Sequence, residues 1–169
     1  MDRLERIDPA GYPDGLSFRH FDAYTDGDVF GVWRRDAWIC AHGTDEGYED
    51  IYLPYTAIRA RRDADAVWVA CMNGIPCGMF ELDLHRWEAQ GAGWISFFYI
   101  DPGHRGTGCG KAMMDAVRQV LSTRGRKSIA LCVAQDNEKA LGFYEHLGFV
   151  KIGEEPGVLC PLYDMEKMI

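Results

Sequence analysis

The segment Arg105-Gly106-Thr107-Gly108-Cys109-Gly110-Lys111 has the make-up of an anion cradle. Glycine at 106, 108 and 110 lets the backbone turn tightly and present successive N–H groups. The residues that follow carry a helical pattern, and a helix start gathers about half a positive charge. His104, Arg105 and Lys111 add basic character, and no carboxylate lies between Pro102 and Met114. Three phosphate-binding patterns compete for such a loop. A P-loop needs glycine at 105 and Ser or Thr after the lysine, but Arg105 and Ala112 stand there. The dinucleotide fingerprint counted from Gly106 needs glycine at 111, where Lys111 stands. Arg/Gln-x-x-Gly-x-Gly/Ala is met by Arg105, Gly108 and Gly110. The plain alternative is a tight strand-to-helix turn that binds nothing.

The surrounding pattern predicts the elements that would hold this loop. Upstream, Trp94 to Ile100 is a nearly unbroken apolar run, expected of a strand covered on both faces. Downstream, Met113, Ala116, Val117, Val120 and Leu121 recur at helical spacing from Lys111 onward. Ser128 to Ala134 reads as another buried strand. Asp136-Asn137 then caps a helix carrying Ala140, Leu141, Phe143, Tyr144 and Leu147, with Gly148 as its left-handed stop. Before the loop come a strand from 16, a helix starting at Thr25-Asp26-Gly27-Asp28 and broken at His42-Gly43, and a second helix from Pro54 to about Arg62. A hairpin of Ala66–Met72 and Cys77–Leu84 turns on Asn73-Gly74. Phe149 to Gly153 and Leu159 to Met168 read as closing strands. The order is mixed α/β around one sheet.

The chain has 169 residues, enough for one domain (1–169, with 1–15 as an N-terminal extension). A net charge of −8 makes nucleic acid and anionic membranes poor partners. No apolar run approaches a membrane span, and Met1 to Arg6 lacks a secretory pattern, so a soluble cytoplasmic protein is expected. Cys40, Cys71, Cys77, Cys109, Cys132 and Cys160 lack CxxC spacing and read as reduced structural thiols. The five histidines are scattered without zinc spacing, and no metal is expected.

Ile100 to Lys111 resembles the coenzyme A pyrophosphate motif of the GNAT N-acetyltransferases, and Asn137 to Phe149 resembles the second half of that family's pattern at the expected distance. The likeness is firm over about 94–169, while over 16–93 only the element order agrees. It implies one GNAT-like α/β domain, with a mostly antiparallel twisted sheet whose middle strands splay, flanked by helices. It further implies acetyl-CoA as co-substrate and a small-molecule or peptide amine as acceptor; a homodimer is compatible with the sequence. Backbone groups near Phe98 and Ile100 would pair with the pantetheine arm. Amides from Arg105 through Gly106, Thr107, Gly108, Cys109 and Gly110 to Lys111 would hold the pyrophosphate. Asn137 would touch the arm, and Tyr144 would act as general acid at the sulfur.

A base is harder to find. Several family members carry a glutamate in the strand before the loop, but Gly91 to Ile100 has no carboxylate. Glu81 and Asp83, which share a strand face, are the candidates, with Glu88 in the next loop; a solvated strand face is their plainer reading. The acceptor pocket would draw on Trp33, Trp38, Tyr48, Tyr52 and Tyr55, each equally at home in packing. Cys109 reads as a space-filler and not as a nucleophile. The competing function is an acyl-CoA-binding sensor or interaction module without catalysis.

Overall fold

Asn73 and Gly74 both take left-handed backbone, φ 51° and 82°, the geometry a two-residue hairpin turn demands. They join β2 (Val67–Met72) to β3 (Ile75–Asp83), and β1 (Leu16–His20) pairs along the other edge of β2. The computed structural model describes residues 7–169; Met1 to Arg6, part of the expected extension, lie outside the described residues. Seven strands form one sheet in the order β1-β2-β3-β4-β5-β7-β6. All neighbours run antiparallel except β4 (Ala92–Ile100) with β5 (Ser128–Ala134). β7 (Leu162–Met168) lies between β5 and the edge strand β6 (Val150–Glu155).

Two helices cover one face. α1 (Ala23–His42) begins two residues ahead of the expected start, because Asp22 Oδ1 caps the amides of Tyr24 and Thr25 at 2.9 and 3.1 Å. Asp26, expected among the capping residues, is buried and grips the Arg19 guanidinium of β1 with both oxygens, at 2.6 and 2.8 Å. α2 (Tyr52–Arg62) carries Pro54 in its first turn. On the opposite face α3 (Cys109–Thr123) buries the five apolar positions read from its periodicity. Its Met113 and Leu121 lie against Gly78 and Gly93, where a Cβ would collide with them. α4 (Glu138–His146) packs on the same side, with Phe143 and Tyr144 against Phe98. Residues 7–15 run along α3: Tyr12 Oη donates to Asp115 Oδ2 at 2.8 Å, and Asp8 and Gln119 exchange two hydrogen bonds.

Two irregularities of β4 decide where a ligand can enter. Leu82 pairs with Ile95 and Glu81 with Phe97, so Ser96 is an unpaired bulge residue. The bulge resets which face each side chain meets. Gly93 backs onto α3, whereas Phe97 and Tyr99 turn to Phe30 and Trp33 of α1. At the same point β4 leaves β5. Their pairing runs from Ala92–Ser128 to Ile95–Leu131 and stops, although both strands continue. The middle of the sheet is therefore split, as the family likeness implies.

Candidate active site

The split opens into a cleft of about 1150 Å³ bounded by Phe98 and Ile100 of β4, the glycine loop, the start of α3, and Asn137 and Tyr144 of α4. Backbone direction along β4 follows from one bond: Asp101 N donates to Cys77 O of the β3 side at 2.9 Å. Strand alternation then turns the polar backbone of Tyr99 toward β3 and that of Phe98 and Ile100 toward the split. The Ile100 carbonyl is taken by Arg105 Nε at 2.8 Å, which leaves the Phe98 groups and the Ile100 N–H facing the gap.

The loop is built by local bonds. Asp101 Oδ1 accepts from Gly103 N at 3.0 Å, and Thr107 Oγ1 donates to His104 O at 2.6 Å. Gly106 and Gly108 sit at φ 75° and 91°, backbone that other residues rarely adopt. Gly108 caps α3 without any side-chain bond, and the first turn holds no acidic residue. Ala112 N, bonded to Gly108 O, begins the helical ladder. The amides of Cys109, Gly110 and Lys111 therefore remain as donors at the positive end of the helix. Gly110 permits the close approach behind them, since a Cβ there would lie 2.8 Å from Phe143 and 3.0 Å from Ile100. This cradle fits a diphosphate.

Side chains around the loop depart from the simplest expectation. The Arg105 amide donates to Pro102 O at 3.4 Å, and its guanidinium turns away from the helix start to Asp36 Oδ2 of α1 at 3.0 Å. Asp36 also accepts from Tyr99 Oη at 2.6 Å. The Tyr99 bond, joined by Arg105, holds the Asp36 carboxyl below its ordinary value against the opposing effect of burial. Asp36, which ties α1 to the loop, was invisible to motif reading because its partners lie 63 and 69 residues away. Cys109 is buried, its Sγ 3.2 Å from Thr107 Oγ1, as befits a space-filling thiol. Lys111 is exposed at the cleft. Asn137 Oδ1 caps α4 through Ala140 N at 3.1 Å.

Tyr144 lines the cleft, 9% exposed, with its ring edge-on to Phe98, Phe143 and Phe149. No described residue hydrogen-bonds its hydroxyl, and burial pushes the phenol well above its ordinary value. Glu81 is not on a solvated strand face. It is 3% exposed and accepts from Thr56 Oγ1 at 2.7 Å, Arg59 Nη1 at 2.5 Å and Arg34 Nη2 at 3.1 Å. Arg34 in turn stacks on Phe97 and Tyr52 at 3.9 and 4.6 Å. Asp83 does share Glu81's face, since Arg59 reaches both, but its Oδ1 caps the turn amides of His85 and Arg86. Of the aromatics expected around an acceptor, Trp33 is core, Tyr55 is exposed, and Trp38, Tyr48 and Tyr52 form one cluster at the α1–α2 connection.

The sequence profile of the acetyltransferase (GNAT) family matches residues 28–149. An uncharacterized N-acetyltransferase of Methanocaldococcus jannaschii is 33% identical over 92 residues, 53% of this chain and 41% of that protein. Across five curated relatives the chain spans 20–56% of their length. The PaiA N-acetyltransferase of Thermoplasma acidophilum, solved with coenzyme A, superposes with TM-score 0.71 at 17% identity, covering 91% of this chain and 99% of that one. Spermidine N-acetyltransferase of Vibrio cholerae, solved with CoA and spermine, gives 0.70 at 21% identity, covering 92% and 96%. These likenesses establish the fold, and the profile spans most of the chain, strand split and glycine loop included. The protein belongs to the acetyltransferase (GNAT) family.

Proposed function

We propose that this chain moves an acetyl group from acetyl-CoA to a primary amine, by direct attack with both substrates bound. The observation that carries the reading is the split sheet ending on an uncapped helix start. It offers rungs for an extended amide-bearing arm and, one step beyond, dipoles for a diphosphate. Phe98 and Ile100 would pair with the arm. The amides of Gly106 to Lys111 would hold the pyrophosphate, and Asn137 would meet the arm through its remaining amide N–H₂.

The chemistry has two proton problems of unequal size. An amine of pKa ~10.4 is about 0.04% neutral at pH 7, a deficit of roughly 4–5 kcal/mol. A thiolate of pKa ~8.5 leaves readily without help. Tyr144 suits the smaller of the two, since burial keeps the phenol protonated and able to donate a hydrogen bond to the departing sulfur. Glu81 is a poor base in this arrangement because three donors already occupy it, and its work is to fasten α1 and α2 to β3. The acceptor in this reading is a small-molecule or peptide amine, which the chain's net negative charge attracts as a cation. No described helix is long and apolar enough to cross a membrane, in keeping with a cytoplasmic enzyme.

Titration calorimetry with acetyl-CoA, followed by thiol release with a panel of amines, tests the reading. Binding together with turnover supports it. Binding with no turnover on any amine favours an acyl-CoA-binding module, and absence of binding removes both.

A further inference from the structure

Ser96 is the one exposed residue of β4, a strand otherwise buried or half-buried. Two irregularities of the sheet meet there. It is the first β4 residue beyond the last rung to β5, Ile95–Leu131, and the bulge leaves it without a partner on β3. Strand alternation fixes the way it points. Gly93 backs onto Leu121 of α3, which sends Trp94 and Ser96 to the face of α1 and α2. Phe97 meets Phe30 of α1 on that same face, so the bulge sets two successive side chains there. The Ser96 hydroxyl has no hydrogen-bond partner among the described residues.

Its distance from the cradle matches the co-substrate. The helix-start amides are level with Ile100, since a Cβ on Gly110 would lie 3.0 Å from the Ile100 side chain. The arm between diphosphate and sulfur contains about twelve bonds. At three bonds per residue that is roughly four residues of extended chain, or about 13 Å. Laid along the split from Ile100, such an arm ends beside Ser96. Tyr144, whose ring centre is 6.3 Å from that of Phe98, stands on the α4 side of this point, and Ser96 opens its α1 side. We infer that the Ser96 hydroxyl meets the attacking amine at the thioester and relays its proton to solvent, an inference that rests on the transferase reading above.

The carboxylates of the neighbouring strand are committed elsewhere, Glu81 to three donors and Asp83 to the turn amides of His85 and Arg86. A hydroxyl open to water can do the work without them. The neutral amine donates an N–H to Ser96 Oγ, which leaves its lone pair free for the carbonyl carbon. As the N–C bond forms, the nitrogen gains positive charge and becomes strongly acidic. Ser96 Oγ takes that proton while its own passes to a solvent water, so the serine is neutral before and after. The C–S bond breaks with its electron pair leaving on sulfur, and the Tyr144 hydroxyl supplies the proton that makes the free thiol. Solvent afterwards returns a proton to Tyr144. Exposure gives the relay its outlet, which a buried serine would lack.

The test is thiol release from acetyl-CoA with spermidine, lysine and a Met-initiated peptide as acceptors, alongside calorimetry with acetyl-CoA. Ser96→Ala should lower kcat/KM for the acceptor at least about tenfold, short of the usual ~10²–10⁴-fold because water at an exposed site replaces part of the relay. Its acetyl-CoA Kd and melting temperature should stay at the wild-type values, since the side chain is exposed. Ser96→Thr, which keeps the hydroxyl, should restore most of the rate. A merely structural serine would not separate turnover from stability in this way. Location is read without activity: the thiol of Ser96→Cys should react with iodoacetamide in the free protein, and acetyl-CoA should slow that alkylation severalfold, followed by mass spectrometry of the peptide that carries it. A loss of less than tenfold in Ser96→Ala, or a Ser96→Cys thiol that acetyl-CoA leaves as reactive as before, overturns the role alone. Wild-type binding of acetyl-CoA without turnover of any acceptor overturns the transferase reading and the role with it.

Discussion

Replacing Glu81 with alanine removes a carboxylate shared by three donors from two helices. The consequence falls mainly on Arg34, whose side chain is 14% exposed and would keep its charge with no anion beside it. Breaking a buried pair by deleting one partner costs about 3–5 kcal/mol. Arg59 adds little, being 33% exposed and free to turn to water. At about 2–4 °C per kcal/mol for a domain of this size, the melting temperature should fall roughly 6–20 °C. Glu81→Gln separates structure from chemistry, because it preserves shape and the Thr56 bond while losing the charge. Calorimetric or circular-dichroism melts of wild type and both variants, with kcat measured well below each midpoint, provide the check. Both variants should be destabilised, with kcat reduced less than tenfold in what remains folded. A Glu81→Gln protein that melts like wild type but loses kcat a hundredfold would refute the structural assignment and restore Glu81 as the base.

Three further outcomes follow from the geometry. Tyr144→Phe should lower kcat by about a hundredfold, the low end for general acids, with acetyl-CoA affinity unchanged by calorimetry; undiminished kcat at saturation would remove its role. Gly110→Ala drives a methyl group into Phe143 and Ile100, so the α3 start must retreat, and acetyl-CoA Kd should rise at least about tenfold, or 1.4 kcal/mol. Asp36, with its carboxyl held down by Tyr99 and Arg105, stabilises the fold above its unfolded pKa of about 3.9, and that contribution disappears as pH falls through the lower folded value. The side chain is 36% exposed, so Asp36→Asn should cost under about 1 kcal/mol at pH 7, and the urea midpoints of variant and wild type should converge in acid.

What could be read from the chain was local. Asn73-Gly74 announced its own turn, Asn137 its cap, and the α3 stripe its buried face, because each signal lies within one or two turns of backbone. The glycine loop was legible for the same reason. Glu81 misled because alternation with Phe80 and Leu82 reports which residues share a face and not what covers that face; its partners come from 22 to 47 residues upstream. Asp26 misled in the same way, looking like a cap while serving Arg19 across to β1. Ser96 has no composition that marks a bulge, yet it decides which β4 side chains meet α1.

The division at the centre of the sheet has a thermodynamic corollary. Four residue pairs of β4 and β5, with α3 crossing over them, join a four-strand block to a three-strand block. A seam so narrow lets the blocks breathe apart at less than the cost of global unfolding, and amides at Phe98 and Ile100 should exchange with deuterium early in the free protein. A ligand lying in the seam acts as a splint, raising resistance to unfolding in proportion to the logarithm of its concentration over Kd. Cellular acetyl-CoA would in that way set how long the folded chain persists.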